Sequence, residues 1–175
     1  LERLSDVLGA EGSLELAGVA DRLLALDPDN ARGLFHLATI RQYQSRFDEA
    51  IELIGRSIES DPANMRARNL LAILYARTFQ YERAAAEFLQ AVRDDPTDAV
   101  SYNNYGLFLL QRGSHEEAID QFERSINLDP ESVQGFVGIA ESLRESGQAA
   151  AAEEWYRKAL KISPGHPIAS LYVNE

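Results

Sequence analysis

Cysteine is absent from the chain, which excludes disulfides, thiolate zinc sites and cysteine nucleophiles at once. Lysine is nearly absent: Lys158 and Lys161 stand against fifteen arginines. Bases as a whole are outnumbered, 17 Lys and Arg to 28 Asp and Glu, for a net charge of −11. A surface of that sign repels phosphate, so nucleic acid is not an expected partner. Long apolar runs are missing too. Nothing approaches the roughly 18 consecutive apolar residues that span a bilayer, so no membrane insertion is expected. The opening LERLSDVLGAEG carries acids where a secretory leader carries a basic region. Starting at Leu1 rather than methionine, the sequence reads as a piece of something longer. Its compartment stays open, cytoplasmic by default, with a periplasmic address also compatible.

What is present is ordinary folded composition, 45% hydrophobic and 26% charged, enough for one domain or one short repeat array. Acid concentrates in residues 1–30 and 99–132, whereas residues 65–98 balance five arginines with five acids. The prolines give the organisation. Pro28, Pro62, Pro96, Pro130 and Pro164 are each 34 residues apart, in DPDN, DPAN, DPTD, DPES and SPGH. With that proline numbered 32 in each repeat, position 20 is Ala50, Ala84, Ala118 and Ala152. Position 24 is Ile54, Phe88, Phe122 and Tyr156, and position 8 is Ala38, Ala72, Gly106 and Ala140. A period of this length marks a stacked-repeat architecture.

Helical spacing fills the period. Leu34, Leu37 and Ala38, then Ile51, Ile54 and Ile58, recur at three- and four-residue intervals, which predicts two amphipathic helices per repeat. Asn30, Asn64, Asp98 and Ser132 stand just before each first helix, where a short oxygen-bearing side chain accepts from free N–H groups. The proline two residues earlier stops the preceding helix by removing a donor and clashing with the previous turn. Small residues at positions 8 and 20 let the paired helices approach closely.

These residues resemble the tetratricopeptide repeat, a family of 34-residue helix-turn-helix units with small residues at positions 8 and 20, an aromatic near 24 and proline at 32. The resemblance covers repeats 31–64, 65–98, 99–132 and 133–166, a partial repeat within 1–30 (LELAGVADRLLALDP), and the start of a further or capping helix in 167–175 (PIASLYVNE). It implies an all-α fold, a right-handed α-α superhelix of antiparallel helix pairs, forming a single array over residues 1–175. Departures are Arg68 at position 4 of the second repeat, Arg41 at position 11 of the first, and an inter-helix glycine only in the last two, Gly113 and Gly147. Less regular packing is expected there.

The cluster of His115 beside Glu116 and Glu117 has the residue types of acid–base chemistry. It occupies position 17 onward, where the first two repeats place Phe47 and Tyr81, so packing against the helix turn is the expected role. His36 and His166 share no metal-ligand spacing with it. The glycines form no phosphate-binding loop, and the serines lie in no nucleophile elbow. No catalytic residue, cofactor or metal is expected.

What remains is surface. By resemblance, the first helix of each repeat lines a concave groove through positions 2, 5, 6, 9, 12 and 13. The groove residues so implied are Arg32, Phe35 and Thr39, then Arg66, Asn69, Ile73 and Arg77, then Asn103, Asn104 and Leu107, and Val137 in the fourth repeat. Asparagines pair with an extended peptide's backbone, and arginines fork onto carboxylates. A protein or peptide partner is expected, an acidic or carboxylate segment suiting the arginines best. The lysine and asparagine clamp of chaperone-binding relatives is not matched: of its positions only Asn104 agrees. The function implied is a non-catalytic protein-interaction scaffold. Alternatives are the substrate-recognition arm of a larger enzyme, as in some glycosyltransferases, and a scaffold self-associating through open ends at Leu1, Leu4 and Leu8 or Ile168, Leu171 and Val173. The run NNYGLFLLQRG also resembles a segment of tetratricopeptide proteins of bacterial pilus assembly.

Overall fold

The computed structural model describes residues 15–173. Residues 1–14, with Leu1, Leu4 and Leu8, and residues 174–175 lie outside the described residues. Among those described, every regular element is a helix. Helix α1 covers 15–26, followed by α2 (Ala31–Tyr43), α3 (Phe47–Ser60), α4 (Met65–Arg77), α5 (Tyr81–Asp94), α6 (Ala99–Gln111), α7 (His115–Leu128), α8 (Val133–Glu145), α9 (Ala149–Ile162) and α10 (Pro167–Tyr172). From α2 to α9 the lengths alternate between 13 and 14 residues. That constancy follows from fixed start and stop signals in every repeat.

The starts are side-chain caps. Asn30 accepts from the Gly33 N–H at 3.0 Å and Asn64 from that of Ala67 at 3.2 Å. Asp98 takes two, from Val100 and Ser101, both at 3.2 Å. Ser132 holds the fourth cap position without a side-chain cap bond; the Gly135 N–H goes instead to the Ser132 carbonyl at 3.0 Å. The next residue in this frame, His166, caps α10 by accepting the Ala169 N–H on Nδ1 at 3.4 Å.

Between paired helices, position 15 of each repeat turns left-handed: Ser45 (φ 59°), Phe79 (φ 62°), Gly113 (φ 76°) and Gly147 (φ 85°). Glycine adopts this region without steric conflict, whereas a side chain crowds the following carbonyl. Ser45→Gly is expected to stabilise by up to ~1 kcal/mol, after the extra freedom glycine gives the unfolded chain is deducted. The urea midpoint measures it, and an unchanged or lower midpoint would contradict strain at this turn.

The chain divides into two compact units, Leu1–Glu87 and Phe88–Glu175. In the first, α2 packs on α3 and α3 on α4. Its core holds Ala38, Ala50, Ile54, Leu70 and Leu74, with Phe35 and Phe47 packed against it from the margin. The Ser57 hydroxyl, buried, donates to the Ala31 carbonyl at 2.7 Å and ties α3 to the start of α2. Two of the departures from the repeat pattern, Arg68 and Arg41, are accommodated by charge. Arg68 reaches Glu87 at 2.9 Å, and Arg41 reaches Glu49 at 3.3 Å.

In the second unit α6 packs on α7, α7 on α8 and α8 on α9, with α10 against α9. Phe122 is fully buried and lies against two glycines. A Cβ at Gly106 would come within 2.8 Å of its ring, and one at Gly138 within 2.5 Å. Phe88 stacks with Tyr105 at 5.9 Å and meets Phe108 at 5.3 Å. Further along, Val137, Ala140, Ala152, Tyr156 and Ala169 form a second core cluster. The single tryptophan, Trp155, packs beside Phe136 at 5.8 Å, with the Lys158 ammonium 3.5 Å above its ring.

Candidate functional site

On α4, Arg66, Ile73 and Arg77 are spaced by seven and four residues. Eleven residues make three turns, so the stripe returns to one face and runs about 16 Å along the helix. Arg66 and Arg77 are exposed and Ile73 is half-buried. Arg77 lays its guanidinium over the Phe47 ring, 4.6 Å from the centroid.

The arginines of the first unit fall into two groups. Arg41 and Arg46 share Glu49, Arg56 holds Asp29 at 2.7 Å, and Arg68 holds Glu87. By contrast Arg32, Arg66 and Arg77, the three on the inferred groove positions, have no carboxylate among the described residues. Arg32 donates from Nε to the Nε2 of His36 at 3.3 Å. That bond needs a neutral imidazole, and His36 is held below the ordinary histidine range, by burial first and by the Arg32 charge second. Guanidinium groups without an internal acid keep their forked donors open to a carboxylate.

The remaining candidates of this unit face inward to different degrees. Phe35 is half-buried against the core. The Thr39 hydroxyl is engaged with the Phe35 carbonyl at 2.9 Å. Asn69 is only 5% exposed, so it lies beneath the surface rather than on it.

In the second unit Asn103 and Asn104 are half-buried and Leu107 is exposed, but Val137 is 8% exposed and belongs to the core. Asn103 lines an open cavity of about 250 Å³ together with Ala99, Val100, Ser125, Asp129, Ser132 and Gln134. Its Oδ1 is buried and accepts no hydrogen bond. Of the hydroxyls beside it, Ser125 donates to the Ala99 carbonyl at 2.9 Å, while Ser132 makes no cap bond. The cavity therefore places Asn103 beside an apolar residue, Val100, that is 60% exposed. Position 9 of the fourth repeat, Glu141, is already taken: it accepts from the Tyr156 hydroxyl and pairs with Arg144 at 2.6 Å.

Two exposed side chains, one in each unit, were missed by sequence reasoning. Tyr43, 79% exposed, closes α2 at position 13, and Val100 opens α6 at position 2. Both occupy frame positions already assigned to the groove, so the periodicity was sufficient signal. Elsewhere, His115 begins α7 half-buried, its Nδ1 without a partner. Among the described residues no group of three His, Cys, Asp or Glu is placed to hold a metal, and no helix is long and apolar enough to cross a membrane.

Comparison with known proteins follows the same lines. No curated protein matches the chain. Similar folds are seen in MamA (TM-score 0.71, 21% identity, 85% of this chain and 86% of that one) and in YrrB, a TPR protein with an unusual peptide-binding site (0.70, 20%, 97% and 88%). Pseudomonas aeruginosa PilF is also similar (0.75, 23%, 81% and 65%). At these identities the likeness is one of fold. The sequence profile of the tetratricopeptide repeat matches residues 35–99, 80–133 and 106–167. With the profile, the period and the helix pairs in agreement, this chain belongs to the tetratricopeptide repeat family.

Proposed function

We propose that the chain is a non-catalytic interaction scaffold that holds an extended peptide or a helix of a protein partner along the first helices of its repeats. The observation that carries this is the Asn103 cavity. A buried amide oxygen without a donor is costly to leave unmet, and a peptide N–H entering beside Val100 would meet it once the Asn103 side chain turned outward, while an apolar side chain took the wall. The uncompensated arginines at positions 32, 66 and 77 favour a partner segment bearing Asp, Glu or a terminal carboxylate. YrrB lends an analogy of fold alone.

The test uses the chain and its Arg66→Glu, Asn103→Ala variant as paired baits in lysate of the source organism, after matched circular dichroism. A captured protein is then mapped to a peptide and titrated against both. About a tenfold or greater loss of affinity in the variant, equal to ~1.4 kcal/mol or more, is expected. Equal affinity would remove the first-helix faces as the binding surface.

A further inference from the structure

The left-handed turn at position 15 is occupied very differently in the two units. In the second unit it is glycine twice, and nothing stands within 4 Å of where a side chain at Gly113 or Gly147 would begin. Beside Gly113 an open cavity of about 330 Å³ is lined by Ser114, His115, Glu116, Glu117 and Ser146. The Nδ1 of His115 is buried there without a partner. Two of its lining residues, Glu116 and Glu117, are acids.

The first unit places Phe79 at the same position. A bulky residue with φ of +62° is an outlier, and the ring is 77% exposed, so burial does not offset the strain. The ring meets Tyr81 edge-on at 6.1 Å. Arg77, two residues earlier, stands over Phe47 and so joins this turn to the start of α3, just beyond exposed Tyr43. The acids of this edge are Asp48, Glu49 and Glu82. Glu49 is held by Arg41 and Arg46, and Asp48 and Glu82 sit in the first turns of α3 and α5, where the helix dipole favours them. Among the described residues Arg77 and Arg83 have no carboxylate, Arg83 bonding Gln80 at 2.9 Å. One turn projects an aromatic ring with guanidinium groups nearby in sequence, and its counterpart is a hollow whose lining includes two carboxylates.

We propose that the Phe79 turn of one copy of this chain docks into the Gly113 hollow of a second copy. Phe79 fills the cavity and Arg77 faces Glu116 and Glu117. The two surfaces are different patches of one molecule, so the contact is heterologous and copies add at both patches. It does not involve the Asn103 cavity; Arg77 is the residue it shares with the peptide-binding surface, so its test rests on Phe79, Glu116 and Glu117, which that surface does not use.

Sedimentation velocity of the whole chain over a concentration series tests it. Mass is expected to rise with concentration and to fall back as salt is added. Phe79→Gly should stay monomeric while melting at a higher temperature, since the strain is gone. Glu116→Arg, Glu117→Arg should also stay monomeric. Mixed, these two variants supply one intact hollow and one intact aromatic turn, so they should form a one-to-one complex that grows no further. Arg66→Glu, Asn103→Ala should associate like the parent. A parent that is monomeric throughout, a Phe79→Gly variant that associates unchanged, or a mixture that stays monomeric would each overturn the proposal.

Discussion

Phe122→Ala is expected to lose about 3–5 kcal/mol, the range for emptying a fully buried aromatic site. That is comparable with the whole stability of a small domain, so the second unit should melt before the first. The site cannot close over the gap, because the ring's neighbours at Gly106 and Gly138 carry no side chains to swing inward. The opposite change fails for the same reason. A methyl at position 138 would lie 2.5 Å from Phe122, and Gly138→Ala should cost about 1–3 kcal/mol through overpacking. Combining Gly138→Ala with Phe122→Leu should recover part of that loss, because the residues touch and their effects are not additive. Urea denaturation followed by circular dichroism measures these and the Phe122→Leu single variant. Additive losses in the double variant would mean that the two positions do not share space.

Glu141→Ala is the second large effect. Glu141 accepts from the Tyr156 hydroxyl and from Arg144, and Arg144 in turn lies over Tyr172 at 5.3 Å. Tyr156 is 1% exposed and stacks on Tyr172 at 5.0 Å. Removing the carboxylate leaves the buried hydroxyl without its acceptor and the half-buried guanidinium with Glu145 alone, at a cost of about 1–3 kcal/mol, and loosens α10. The phenol carries a pH signature as well. Burial first, and then the hydrogen bond to Glu141, raise its ionisation above the ordinary tyrosine range. A group raised in the folded state supports folding fully below its unfolded value of about 10 and loses that support as pH climbs further. The parent's second unit should therefore destabilise above that pH, and Glu141→Ala should show a shallower loss. Absorbance of tyrosinate during alkaline titration checks it; identical curves would remove Glu141 from the network.

Sequence reasoning reached the fold because its signals are repeated. Proline at position 32 and a polar cap two residues later fix where each first helix begins, and all four such helices start at the residue after the cap. Small residues at positions 8 and 20 are buried in every repeat. The candidate site was harder. Position 5, assigned to the groove, holds Phe35, Asn69, Asn103 and Val137, of which two are buried and two half-buried. It lies three residues before buried position 8, hence on the same side of the helix, at the margin of the packed stripe. Residue type does not tell which way a margin position turns; neighbouring side chains do. Asn69 is therefore covered, whereas Asn103, in the same frame position, borders a cavity. Likewise Phe79 gives no sign of strain in sequence, since only the turn geometry shared with Gly113 and Gly147 exposes it.

Trp155 gives the array an optical address. As the single indole in the chain, packed by Phe136 and covered by Lys158, its emission reports the last complete repeat alone. Far-ultraviolet dichroism averages over all the helices. In a stack whose stability is a sum of nearest-neighbour terms, the interval between the two melting curves is a direct measure of how many repeats come apart together.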